Sequence, residues 1–132
     1  MIARADLEKT ARAHLRDAVI LNRNRSYDGA VYVCGYAVEI ALKARICQTL
    51  RWAGFPSTAA EFQYVKSVQT HNFEALLLFS GVEARIKPAL ATDWSIVKKW
   101  TPEQRYSPVG TQTIMEAAAM IAATRTLLKV LL

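Results

Sequence analysis

Apolar residues recur at three- and four-residue spacing along most of the chain, and no stretch alternates convincingly every second residue. Leu7, Ala11, His14, Leu15, Ala18 and Leu21 share one stripe, with Arg4, Glu8, Arg12, Arg16 and Arg23 largely on the other side. This pattern predicts an amphipathic helix over roughly residues 3–23, with His14 turned toward the core. The run from Asn22 to Gly29 breaks it, and Ser26 or Asp28 is available to cap the next helix. From about Asp28 to Leu50 the chain is apolar nearly all round. Val31, Cys34, Gly35, Val38, Ala41 and Leu42 lie on one side, and Tyr32, Tyr36, Ile46, Cys47 and Leu50 on another. A helix of that kind is contacted on several sides and belongs at the centre. Gly35, lacking a side chain, lets a neighbouring helix come close.

Later segments are shorter. Gly54-Phe55-Pro56 opens a linker, and Ser57 or Thr58 with Glu61 has capping-box spacing, which predicts a short helix over about 59–67. Thr70-His71-Asn72 punctuates the chain before Phe73, Leu76, Leu77 and Phe79, a short apolar helix ending near Gly81. Residues 82–100 read as one or two turns, broken at Pro88 and restarted at Asp93. Thr101 suits an N-cap, Pro102 the first helical position, and Gln104 a capping box. Pro108 and Gly110 stop that turn. Over residues 112–132 a last helix is expected, with Ile114, Ala117, Ala118, Ile121, Arg125, Leu128 and Leu132 on its stripe and Thr113 with Glu116 at capping-box spacing. Its apolar end, Leu127 to Leu132, fits either a subunit contact or a frayed helix end. Three long helices plus shorter ones predict an all-α, up-and-down bundle in a single domain over residues 1–132.

With 52% hydrophobic and 21% charged residues, the chain is neither a disordered tail nor a fibre. Lys and Arg number 17 against 11 Asp and Glu, a formal charge of +6 that favours anionic partners such as phosphates or RNA. The longest mainly apolar stretch, Val31 to Ala44, is interrupted by Glu39 and Lys43 and falls short of the roughly 20 residues of a membrane span. The first residues lack the apolar core of a secretory signal. Cys34 and Cys47 on one helix would stand about 20 Å apart, too far for a disulfide. Two free thiols fit a reducing cytoplasm and do not make a zinc site. No membrane association, metal or cofactor is therefore expected.

Glu39 and Lys43 are four apart on the most apolar helix. They read either as a structural ion pair or as a device in which Glu39 orients Lys43 or Arg45 toward a phosphate. If the pair is buried, removing one partner should cost about 3–5 kcal/mol. His71 reads as a capping or packing histidine that bonds a backbone carbonyl or the Glu39 carboxylate, or else as a general base with no nucleophile marked for it. The strip Trp94, Lys98, Lys99, Trp100, Arg105, Tyr106 mixes cations and aromatics. It can hold a nucleotide by charge and stacking, or simply bury its two Trp beneath solvated lysines. On the first helix and the turn after it, Arg4, Lys9, Arg12, Arg16, Arg23 and Arg25 outnumber Asp6, Glu8 and Asp17. There is no P-loop, dinucleotide-binding, zinc-protease or nucleophile-elbow motif, nor a clear recognition helix for DNA.

The order of these features resembles the HEPN superfamily (higher eukaryotes and prokaryotes nucleotide-binding domains). The likeness runs from Arg25-Ser26-Tyr27-Asp28-Gly29-Ala30 through Gly35-Tyr36-Ala37-Val38-Glu39-Ile40-Ala41-Leu42-Lys43-Ala44, similar to the family's central helix. Thr70-His71-Asn72 before Leu76-Leu77 resembles the family's histidine ahead of its third helix, and Arg105-Tyr106 its Arg-Tyr before the last helix. The resemblance spans about residues 5–130. It implies a four- or five-helix bundle that forms a homodimer and works beside a minimal nucleotidyltransferase, in a toxin–antitoxin pair, or as a metal-independent ribonuclease. The ribonuclease branch uses Arg-x4-6-His, whereas His14 and His71 here have no Arg five to seven residues upstream, only Lys66 five before His71. The expectation is therefore a non-catalytic module that binds nucleotide or RNA phosphate, or a protein partner. Its ligand would meet Glu39, Lys43, Arg45, His71, Arg105 and Tyr106.

Overall fold

Helix α1 (Arg4–Arg23) and helix α2 (Tyr27–Leu50) form a hairpin around which the rest of the chain packs. The computed structural model describes residues 1–132. Helix α1 sends Leu7, Ala11 and Ala18 into the core. His14 instead sits on the flank of that stripe, its side chain 35% exposed and 3.9 Å from Asp17. The expected core histidine is thus a half-buried one at the edge of the stripe. Arg25 makes the turn in the left-handed region, at φ 61°. Ser26 stands at the N-cap of α2 without a side-chain cap bond. Asp28 does not cap α2 either: its carboxylate accepts from the backbone N–H of Gly110 at 2.7 Å and of Gln112 at 2.8 Å, tying a distant loop to the start of α2.

Helix α2 is buried on several sides, as its all-round apolar pattern requires. Small residues along it (Ala30, Cys34, Ala37, Ala41 and Ala44) allow neighbours to pack close. At Gly35 the neighbour is not a helix but the indole of Trp100: a Cβ there would lie 2.0 Å from Trp100 Cε2. Trp100 Nε1 donates to the Tyr32 carbonyl at 3.1 Å, its ring stacks on Phe73 at 5.4 Å, and Tyr36 meets it edge-on at 4.9 Å. Trp94 is equally buried and donates to Glu74 at 3.0 Å. The two tryptophans of the cation–aromatic strip therefore offer no stacking surface. Its two tryptophans belong to the core, and only Lys98, Lys99, Arg105 and Tyr106 face solvent.

The shorter elements follow their local signals in place but not always in extent or type. Helix α3 (Ala59–Phe62) carries the Thr58–Glu61 capping box but ends after one turn, and a separate 3-10 turn comes next at Lys66–Val68. Helix α4 (Phe73–Ser80) is capped by Asn72 and closed by Gly81 at φ 73°. Helices α5 (Glu83–Ile86) and α6 (Ala91–Val97) fill the next stretch, α6 starting two residues before Asp93. Pro102 does open a helical segment, but it is a 3-10 turn, Pro102–Tyr106, and Thr101 makes no side-chain cap. Helix α7 (Ile114–Leu131) has the full Thr113–Glu116 box. It buries Ala117, Met120, Ile121, Thr124, Leu127, Leu128 and Leu131, whereas Ile114, Ala118 and Arg125 of the expected stripe are exposed. Helix α7 is apolar on more than one side, so contact with α1, α2 and α6 selects the buried face. Its terminal leucines are taken up by the chain's own core.

One element has no helical signal. Strand β1 (Ile2–Ala3) pairs antiparallel with strand β2 (Gly54–Phe55), Ile2 opposite Phe55. Two residues are too few to show a period. Both cysteines are buried and unpaired, and burial pushes the Cys34 thiol up to about 11. The fold is an all-α helical bundle with this one small ribbon. Its order is not the expected up-and-down one: α4 and α7 both run parallel to α2, as the pairs Glu39–His71 and Thr49–Ser80, and Asp28–Gln112 and Cys34–Thr124, require. No helix is long and apolar enough to cross a membrane.

Candidate functional site

The face of α2 that carries Tyr32, Tyr36, Glu39 and Lys43 ends in a buried carboxylate. Glu39 is 2% exposed. A carboxylate at that depth persists only with donors around it. Lys43, one turn on, supplies one at 3.4 Å. The other comes from far along the chain: His71 Nδ1 bonds the same Oε1. Of the two partners open to His71 in the sequence, backbone carbonyl or Glu39, the structure takes Glu39.

The connection before α4 holds His71 in place. Asn72 Oδ1 accepts from the Ala75 N–H and Thr70 Oγ1 from the Asn72 N–H, both at 3.0 Å, so the backbone on either side of His71 is bonded. The imidazole is 60% exposed, while Lys43 is only 20% exposed, its ammonium lying 5.3 Å from the centre of the Phe55 ring. Lys43 and His71 stand at the edge of a groove of about 440 Å3. Leu7, Ile40, Phe55 and Phe62 give it an apolar floor, and Thr10, Ser57, Gln69 and Thr70 add polar groups. A second groove, of about 350 Å3, adjoins the other side of His71 and is edged by Lys98, Thr101 and Glu103. Tyr32, Tyr36, Phe55 and Phe62 were not among the expected site residues. The α2 stripe signals the first two, but only the β1–β2 ribbon and α3 bring the phenylalanines in.

Arg105 and Tyr106 lie further along the same face, beside Tyr32 and Tyr36, and make no ion pair or hydrogen bond with Glu39. The Arg105 guanidinium covers the exposed Tyr106 ring at 4.8 Å, and the phenol oxygens of Tyr106 and then Tyr32 hold its pKa above the ordinary arginine value. Tyr36 is raised chiefly by its hydroxyl contact with Tyr32 at 3.3 Å and by partial burial. The charge of Glu39 also raises it, against the pull of Arg105. The face thus runs from a cation and stacked phenol at Arg105–Tyr106, past two tyrosines, to the Glu39–Lys43–His71 group.

Arg45 is not part of it. Two residues beyond Lys43 it is turned by some 200°, to the other side of α2. There its pKa is lowered by burial and by Arg85, and its Nη1 donates to Gln48 at 3.4 Å. No group of three His, Cys, Asp or Glu side chains is placed to hold a metal ion.

Chemically, the Glu39 group can do two things. Lys43 and His71 are fixed by a shared carboxylate; the ammonium keeps further N–H donors for a ligand, and the imidazole does so only when both its nitrogens carry hydrogen. The same geometry sets the tautomer of His71: with Nδ1–H donated to Glu39, Nε2 carries the lone pair. No protein-family model, curated protein or solved structure matches the chain.

Proposed function

We propose that this chain is a HEPN-like, non-catalytic module of the cytoplasm that binds the phosphate of a nucleotide or RNA. In this reading it acts as a homodimer alongside a nucleotidyltransferase or toxin–antitoxin partner. The observation that carries the proposal is the convergence of Lys43 and His71 on a buried Glu39 at the mouth of an apolar-floored groove. Its volume is within the range of small-molecule sites, roughly 300–1,000 Å3. A phosphate would take the free donors of Lys43 and of protonated His71, and an apolar or aromatic moiety would lie over Phe55 and Phe62. Arg105 and Tyr106, further along the face, offer a second cation and a ring for stacking a base, worth about 1–3 kcal/mol. The fold assignment, the dimer and the protein partner rest on the family resemblance of the α2 and Thr70-His71-Asn72 segments.

Calorimetry with mononucleotides and a short RNA at two salt concentrations tests the reading. Binding is expected to weaken with salt and to fall at least tenfold in Lys43→Ala. No binding at low salt would leave only the protein-partnering role. A second reading, metal-independent RNA cleavage, is favoured by one observation: an exposed imidazole held through Nδ1 by a buried carboxylate is the arrangement of a general base and its orienting group. Labelled RNA incubated with the protein decides between them. Cleavage that persists through purification and disappears in His71→Ala selects the second.

A further inference from the structure

We propose that the groove between α1 and α7 binds the phosphodiester backbone of single-stranded nucleic acid. This surface shares no residue with the Glu39 site, and the inference does not depend on that site binding nucleotide. Four cations line the groove: Arg12 and Arg16 from α1, Arg125 and Lys129 from α7, around a space of about 520 Å3. All four are exposed, and none takes part in any ion pair of the molecule.

The topology arranges them. Helix α1 runs antiparallel to α2 through their short turn. Helix α7 starts beside the first turn of α2, where Asp28 bonds Gly110 and Gln112, and Thr124 lies at Cys34 further along. Helices α7 and α2 are therefore parallel, and α7 is antiparallel to α1. Each helix carries its two cations one turn apart, about 6 Å in rise, so two cation rows face each other across the groove. Unpaired charges held in rows attract a polyanion and gain from releasing its counterions.

Two other occupants fit less well. A second copy of the chain meeting this face across a two-fold axis would set four cations against four. An acidic amphipathic helix would need a broad apolar surface to bury, but of the three leucines lining the groove Leu128 is 5% exposed, Leu15 and Leu132 are half-buried, and none of the strongly exposed large apolar side chains is located there. Three of the four cations are arginines, whose planar forks match phosphate oxygens as they do carboxylates.

Fluorescence anisotropy of a labelled 20-nucleotide polyuridine between 50 and 200 mM salt tests this. Four neutralised phosphates contribute about −2.8 to the slope of log K against log salt, or about 50-fold in affinity over that range. Changing Arg12, Arg16, Arg125 and Lys129 together to Gln should remove that contribution while leaving the far-UV circular dichroism unchanged. If that variant fails to fold, Arg12→Gln with Arg125→Gln should remove about half of it. Deoxythymidine 20-mers should bind with the same slope, since no base or 2′-hydroxyl contact is invoked. Unchanged affinity and slope in the folded variants overturn the proposal. So does polyglutamate binding the groove more tightly than polyuridine at equal charge, which would assign it to an acidic peptide. Lys43→Ala alters mononucleotide binding but leaves the four-charge contribution in place, so the two proposals fail separately.

Discussion

Replacing Gly35 by alanine should destabilise this protein, although the same change in an ordinary exposed helix stabilises it. Alanine is favoured over glycine by about 1 kcal/mol in a helix interior. Here the new methyl would stand 2.0–2.1 Å from three atoms of the Trp100 indole, well inside van der Waals contact. Neither side can yield cheaply. Gly35 is in the middle of the buried α2, and Trp100 is held by its bond to the Tyr32 carbonyl and by Phe73 and Tyr36. Overpacking of this kind costs about 1–3 kcal/mol, and expelling the ring forfeits much of the roughly 3–5 kcal/mol lost when a buried Trp is truncated. The helix-propensity gain offsets about 1 kcal/mol of this, leaving a net loss of about 2–4 kcal/mol where the ring is expelled and up to about 2 kcal/mol where the site only strains. Urea unfolding followed by circular dichroism and tryptophan emission reads both the loss and the displaced indole. Gly29→Ala is the internal control. Its methyl would meet only side-chain ends, Ser26 Oγ at 3.2 Å and the Leu21 methyls at 3.5 and 3.8 Å, so it should be neutral or up to about 1 kcal/mol more stable. In a Trp100→Ala background Gly35→Ala should lose its penalty. A Gly35→Ala protein as stable as its parent, with unchanged emission, would refute the packing argument.

Two further outcomes rest on particular contacts. Glu39→Gln should cost about 1–3 kcal/mol, less than the 3–5 kcal/mol expected for a fully buried pair, because Lys43 and His71 both reach solvent and can rehydrate. A loss above 4 kcal/mol in urea titration would show that reasoning to be wrong. The N–H groups of Gln112 and then Gly110 hold the Asp28 carboxyl below its usual value. Its contribution is therefore complete above the unfolded-state pKa, about 3.9, and is lost as pH falls through the depressed folded value. Asp28→Ala should weaken this acid dependence and speed amide exchange at residues 110 and 112. Unaltered exchange would contradict the bridging role.

Helix ends were legible because their signals are local. The Thr58–Glu61 and Thr113–Glu116 boxes and the Gly81 stop each involve bonds within a few residues, and the structure contains all three. The central position of α2 was equally readable, since a helix apolar on every side has to be covered on every side. Part of the site was readable too: Glu39 and Lys43 pair at i,i+4, and a carboxylate on so apolar a helix calls for a further donor. Which donor arrives was a matter of tertiary structure. His71 reaches Glu39 across 32 residues, Trp100 reaches Tyr32 across 68, and Asp28 reaches Gln112 across 84. No periodicity encodes these meetings. The same holds for the β1–β2 ribbon that brings Phe55 to the groove and for the buried face of α7. Each is settled by how whole helices pack, when the burial of many side chains at once outweighs the preference of any one segment.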